Sequence, residues 1–155
     1  MRIWFYGCGH APAGAHREVL WDCLRGLGDT VLRLQVEPAA LARGLAGLAR
    51  LELRSGNRLV SSVTTCCPRE SGLDEEGAWL YGGEQGLHFV AAPRLLLAPL
   101  VPLSDGIPAR SLLWFNGAGE LIQALLPTET KTARQLDELI GTWLHPRQDC
   151  LPTLE

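Results

Sequence analysis

Histidine and cysteine are the residue types in this chain best suited to chemistry, and they are few. His10 lies within, and His16 just after, a glycine-rich stretch, Gly7-Cys-Gly-His10 to Gly14. A neutral imidazole nitrogen in such a loop is an ordinary metal ligand, iron included; the plain alternative is a solvated surface loop. Cys8 beside His10, or Cys23 with His16, suggests zinc, but neither pair has a second pair at structural-site spacing. His88 lies between Leu87 and Phe89. On a strand it faces opposite to both, towards a ligand on the open side of a sheet or towards solvent. Cys66-Cys67-Pro68 could hold a soft metal, although adjacent cysteines on an extended chain diverge, and such pairs also serve as small hydrophobes at a strand end. Arg69 and Arg110, near loop ends, offer the planar fork that grips a carboxylate in two places. No Ser/His/Asp set or paired-carboxylate arrangement is discernible, and Asp74, Glu75 and Glu76 read as a solvated acidic loop.

The elements that must position these residues are legible from apolar spacing. At 155 residues the chain is expected to form a single domain, with a core over about 15–145 and a loose C-terminal tail. Residues 1–6 suit a short strand or arm, and 7–14 a loop. Ala15 to Leu27 carries helical spacing, with Gly28 as its stop. Thr30 to Val36 alternates weakly as a strand. Pro38 opens a helix to about Ala49, with Leu41, Leu45 and Leu48 on one face. Leu51–Arg54 and Arg58–Thr65 read as a hairpin turning at Ser55-Gly-Asn57, and Arg69 to Gly77 as a polar loop. A second hairpin turns at 82–86 between Trp79-Leu-Tyr81 and Leu87–Val90. Leu95 to Val101 suggests another strand, ended by Pro102.

The last third is the clearest. Ser111-Leu-Leu-Trp-Phe115 and Glu120–Leu126 flank the turn Asn116-Gly-Ala-Gly119. A helix follows from Thr132, where Thr132 and Gln135 have capping-box spacing and Leu136, Leu139, Ile140, Trp143 and Leu144 form the stripe to be buried. Consecutive hairpins with helices set apart predict an α+β fold: an antiparallel sheet of about six to eight strands, with helices packed on one side.

Composition narrows the function classes. A net charge of −3 and a pI near 5.8 give no whole-chain field for nucleic acid or an anionic membrane. The longest nearly apolar run, Leu95 to Leu103, is too short to span a bilayer and contains two prolines. The apolar start, Met1 to Tyr6, is too short for an export signal, and five cysteines are an odd number. A cytoplasmic protein without a disulfide framework is the expectation, its partner a small hydrophobic ligand or another protein.

Leu41-Ala-Arg-Gly-Leu-Ala-Gly-Leu48, Leu51-Glu-Leu-Arg54, Gly56-Asn-Arg58, Trp79-Leu followed by Leu87-His-Phe89, and the closing Ser111-Leu-Leu-Trp-Phe-Asn-Gly-Ala-Gly-Glu-Leu-Ile122 stand in a telling order. That order resembles one half of the bacterial haem-utilisation proteins, the haemin-degrading factors and cytoplasmic haem carriers (HemS-like and ChuX/HutX-like). The resemblance covers roughly residues 17–144 and implies haem binding for carriage or storage, with degradation by analogy. It implies His10 or His16 as the iron ligand, His88 as a pocket residue, and Arg69 or Arg110 for the propionates. With only one half present, it also implies a homodimer built on the apolar open face of the sheet. Val60 to Cys67 departs from the carrier pattern, having no histidine where that branch has a histidine-rich strand. This departure favours a second reading, a cofactor-free protein-binding module of the immunity or adaptor kind. A third reading comes from Gly7 to His16, which resembles the phosphate loop of nucleotidyltransferases at shifted spacing and implies a nucleotide-binding enzyme.

Overall fold

The computed structural model describes residues 31–56, 61–82, 85–89, 95–102, 106, 108–116 and 121–144. The expected N-terminal strand, glycine loop and first helix, and the C-terminal tail, lie outside these residues. In chain order the described elements are β1 (Leu32–Leu34), α1 (Pro38–Leu45), β2 (Leu51–Gly56), β3 (Ser61–Cys66), β4 (Glu70–Asp74), β5 (Gly77–Gly82) and β6 (Gln85–Phe89). There follow β7 (Leu95–Ala98), β8 (Leu100–Pro102), β9 (Pro108–Arg110), β10 (Leu112–Phe115), β11 (Leu121–Pro127) and α2 (Thr130–Leu144). Six strands form the main sheet in the order β1-β7-β10-β11-β2-β3, β4-β5-β6 form a second, and β8-β9 a third. Every pairing is antiparallel. The class is the expected α+β.

The central strands are apolar on both faces, and strand alternation sorts their side chains. Leu96, Ala98, Leu112, Trp114, Leu125, Leu51 and Leu53 point into the principal core with Leu41, Leu45, Leu136 and Ile140 of the two helices. Leu97, Leu113, Phe115, Leu121, Ala124 and Leu126 form a second cluster on the opposite face. The three-stranded sheet turns its own apolar side into the principal core through Ala78, Leu80 and Phe89, whose ring stacks on Trp114 with centroids 5.5 Å apart. Gly44 lets α1 approach α2 closely: a Cβ there would lie 2.7 Å from Leu139 Cδ1.

Several elements differ from the sequence expectation for physical reasons. Helix α1 stops at Leu45 because its end tightens into the three-residue bonds Gly47 N–H to Gly44 O and Leu48 N–H to Leu45 O, which still bury Leu48. Ser55 and Gly56, expected to open the turn, belong to β2 and pair with Ser62 and Ser61. The expected loop from Arg69 to Gly77 contains β4. Its sequence, Glu-Ser-Gly-Leu-Asp, carries no apolar alternation, and the backbone of β5 supplies the pairing. Pro99 divides the expected strand at 95–101 into β7 and β8, and β9 pairs with β8 with prolines opposite each other at its end. Helix α2 begins at Thr130. Thr132 is fully buried inside it and Gln135 Oε1 accepts from the Ala49 N–H at 3.0 Å, so these two residues form no capping box. Leu144, 38% exposed, falls outside the buried stripe.

Candidate functional site

The candidate residues fall into separate places. His10 and His16, with Cys8 and Cys23, lie outside the described residues. Arg110 is half-buried on β9, and its Nη1 donates to the Ala98 carbonyl at 2.8 Å, tying β9 to β7. Cys66 is buried in the principal core while Cys67 is exposed, so the pair diverges as an extended chain requires. Burial, and secondarily the adjacent Cys67, push the Cys66 thiol above its ordinary value, which favours the neutral small hydrophobe over a thiolate ligand. Among the described residues no group of three or more His, Cys, Asp or Glu side chains is placed to hold a metal ion.

Arg69 and His88 share the three-stranded sheet. The Arg69 N–H donates to the Tyr81 carbonyl at 2.9 Å, immediately before Glu70 pairs with Tyr81. His88 pairs with Trp79. Alternation places Glu70, Gly72 and Asp74 of β4, Trp79 and Tyr81 of β5, and Gly86 and His88 of β6 on the outer face, opposite the side that enters the core. His88 is exposed there, as its position between Leu87 and Phe89 predicts.

Sequence reasoning found His88 on this face but not the arrangement around it. Trp79 and Tyr81 are ring neighbours, centroids 4.9 Å apart and planes inclined at 57°. Each aromatic lies over a glycine of a neighbouring strand: a Cβ on Gly72 would come within 2.3 Å of the Trp79 indole, and one on Gly86 within 2.7 Å of the Tyr81 ring. The signal that could have found it is Trp-x-Tyr at strand spacing with glycines on the flanking strands. Asp74 Oδ1 accepts from the Glu76 N–H at 2.8 Å and lies 3.6 Å from His88 Nε2. A cavity of about 220 Å³ lies on the other side of β4, lined by Ala39 and Arg43 of α1 and by Ser71, Gly72 and Leu73. The arrangement is an aromatic, acid-rimmed surface suited to binding, with no nucleophile and base brought together among the described residues.

No family model matches the sequence, and the comparison with curated proteins gives no match. Solved structures do match. The chain is similar to holo-PhuS, a heme-binding protein from Pseudomonas aeruginosa, with a TM-score of 0.64 and 20% identity over 83% of this chain and 38% of that one. It is also similar to ChuS, an E. coli heme oxygenase, with a TM-score of 0.57 and 18% identity over 75% of this chain and 37% of ChuS. Against ChuX the TM-score is 0.55 with 13% identity, over 86% of this chain and 91% of ChuX. The chain thus spans about two fifths of PhuS and ChuS and most of ChuX, and its fold is that of the haem-utilisation proteins.

Proposed function

We propose that this protein binds haem as a carrier or store, acting in the cytoplasm. The observation that carries the reading is the fold, shared over 83% of the chain with holo-PhuS and over 86% with ChuX, which is itself described as a heme-binding protein. Fold alone does not assign chemistry, so the ligand set rests on residue types. His10 or His16 ligates the iron through a neutral imidazole nitrogen, and an arginine meets the propionates. His88 is a poorer ligand for a dianionic porphyrin, because the outer face around it carries Glu70, Asp74, Glu75 and Glu76. Either arginine is a candidate: Arg69 is exposed but adjoins the acidic stretch at Glu70, and Arg110 is half-buried and donates to a backbone carbonyl. Among the described residues no helix is long and apolar enough to cross a membrane. Degradation of haem would need a reductant and oxygen, and the carrier reading requires neither.

The test is a haemin titration followed by Soret absorbance, repeated with His10→Ala, His16→Ala and His88→Ala. A saturable, stoichiometric band lost in the His10 or the His16 variant and kept in the His88 variant supports the reading and names the ligand. Weak, non-saturating absorbance unchanged in all three variants removes haem and leaves the fold.

A further inference from the structure

We propose that the outer face of the three-stranded sheet, along β4, docks an extended segment of a protein partner that presents a lysine or arginine side chain to Trp79 between Glu70 and Asp74. Three independent features meet there. Because Gly72 has no side chain, the Trp79 indole leans across β4 at the position between Glu70 and Asp74, which lie four residues apart on the same face. A cation over an indole face gains from the ring quadrupole, and two flanking carboxylates add Coulomb attraction. Tyr81, inclined at 57° to the indole and 51% exposed, makes a second wall beside it.

Charge selects the occupant. Over residues 69–76 four carboxylates (Glu70, Asp74, Glu75, Glu76) stand against one guanidinium, Arg69. The surface therefore repels an acidic segment and attracts a basic one.

Topology selects an extended conformation. β4 is the end strand in the order β4-β5-β6, and among the described residues β5 is its one ladder neighbour. An added antiparallel or parallel strand would satisfy its outer N–H and C=O groups, the mode by which sheet edges take up peptides. Side chains of that strand alternate. One set meets Glu70, Trp79 and Asp74. The other meets the cavity lined by Ala39, Arg43, Ser71, Gly72 and Leu73, where Leu73 is 69% exposed and Arg43 disfavours a second cation. The segment recognised is therefore basic on one face and apolar on the other. This site is distinct from His10 and His16, adjoins Arg69, and needs no haem.

The experiment uses the full chain without haemin and two peptides, acetyl-Thr-Val-Lys-Val-Thr-amide and its counterpart with norleucine replacing lysine. Amide and indole N–H shifts are followed by two-dimensional NMR. The expected result is saturable shifts at Glu70 to Asp74 and at the Trp79 indole with the lysine peptide, and roughly fivefold or greater weaker affinity for the norleucine peptide. In Glu70→Gln/Asp74→Asn, whose spectrum reports that the fold is kept, the lysine peptide should lose most of its advantage and keep only the part that the Trp79 ring supplies; an undiminished preference would overturn the role of the carboxylates. Equal affinities for the two peptides in the parent chain, shifts confined to other elements, or no saturable shift would overturn the proposal. Failure of haemin binding would leave it standing, because neither peptide titration contains haem.

Discussion

Two glycines with opposite surroundings make opposite stability changes. Gly82 closes β5 against the link after β3: a Cβ there would lie 2.4 Å from the Cys67 carbonyl oxygen and 2.8 Å from Cys66 Sγ. Backbone cannot yield as a flexible side-chain end can, so Gly82→Ala should destabilise by about 1–3 kcal/mol. Gly141 lies within α2 with nothing within 4 Å of a Cβ, so Gly141→Ala should stabilise by about 0.5–1 kcal/mol. Urea unfolding of both variants checks the pair, and equal effects would refute the packing account. Cys66 gives a pH dependence. Its folded thiol titrates above the ordinary value, so the native state holds the proton more tightly than the unfolded chain. The associated stability is complete below the ordinary thiol value of about 8.5 and is lost as pH rises through the higher folded value. Thermal midpoints from pH 7 to 10 should fall less steeply in Cys66→Ala than in the parent chain, although the variant is less stable throughout. The sequence foretold His88 on an outer face and Cys66 as a small hydrophobe, because strand alternation needs only neighbouring residues. Trp-x-Tyr spacing marks the two aromatics, but the indole over Gly72 also depends on which strand lies beside β5, which neighbouring residues do not give.

Elements were legible where apolar spacing and local turn signals agreed. The hairpin of β10 and β11 carries continuous apolar runs about a glycine turn signal, the helix opened by Pro38 and the α2 stripe through Leu136 and Ile140 carry helical periodicity, and burial followed in each. β4 and β9 lack that signal, because one is polar and the other begins with proline, and each is a strand only through its partner. The capping box failed because residue types at the right spacing were read without their neighbours. Thr132 is buried with no hydrogen-bond partner for its hydroxyl among the described residues, while Gln135 reaches across to the turn after α1. That Gln135 contact joins α2 to Ala49 over 86 residues of sequence, and no local pattern could announce it. It yields an element-scale prediction. Gln135→Ala removes the acceptor of a part-buried N–H, so the cost should be about 1–2 kcal/mol, with faster amide exchange confined to the end of α1 and the following turn. Hydrogen exchange measured by NMR distinguishes this from a general loss of stability, which would speed exchange throughout the main sheet.

At the scale of the whole molecule, the family-level order of elements was readable at low identity because order and hairpin spacing survive when individual residues do not. Length then raises the question of assembly. The chain spans most of ChuX but only about two fifths of PhuS and ChuS. The apolar open face expected to supply a homodimer is narrower than composition suggested. Leu97, Leu113, Phe115, Leu121, Ala124 and Leu126 are each at most 8% exposed within the single chain. Among the described residues, β3 presents an exposed apolar side chain on that side: Val63, paired with Arg54, is 55% exposed beside Thr65. A homodimer of this protein should therefore form through β3. Sedimentation equilibrium should give twice the 16.9 kDa chain mass, and Val63→Asp should shift the population towards monomer, because two carboxylates facing each other across the two-fold axis repel. Val63 is exposed, so its substitution leaves the core intact. If the parent chain sediments as a monomer at every concentration and still gives a stoichiometric Soret band, a single chain holds the whole haem site. If it is a dimer that Val63→Asp leaves unchanged, the contact lies on another surface and β3 is not the interface.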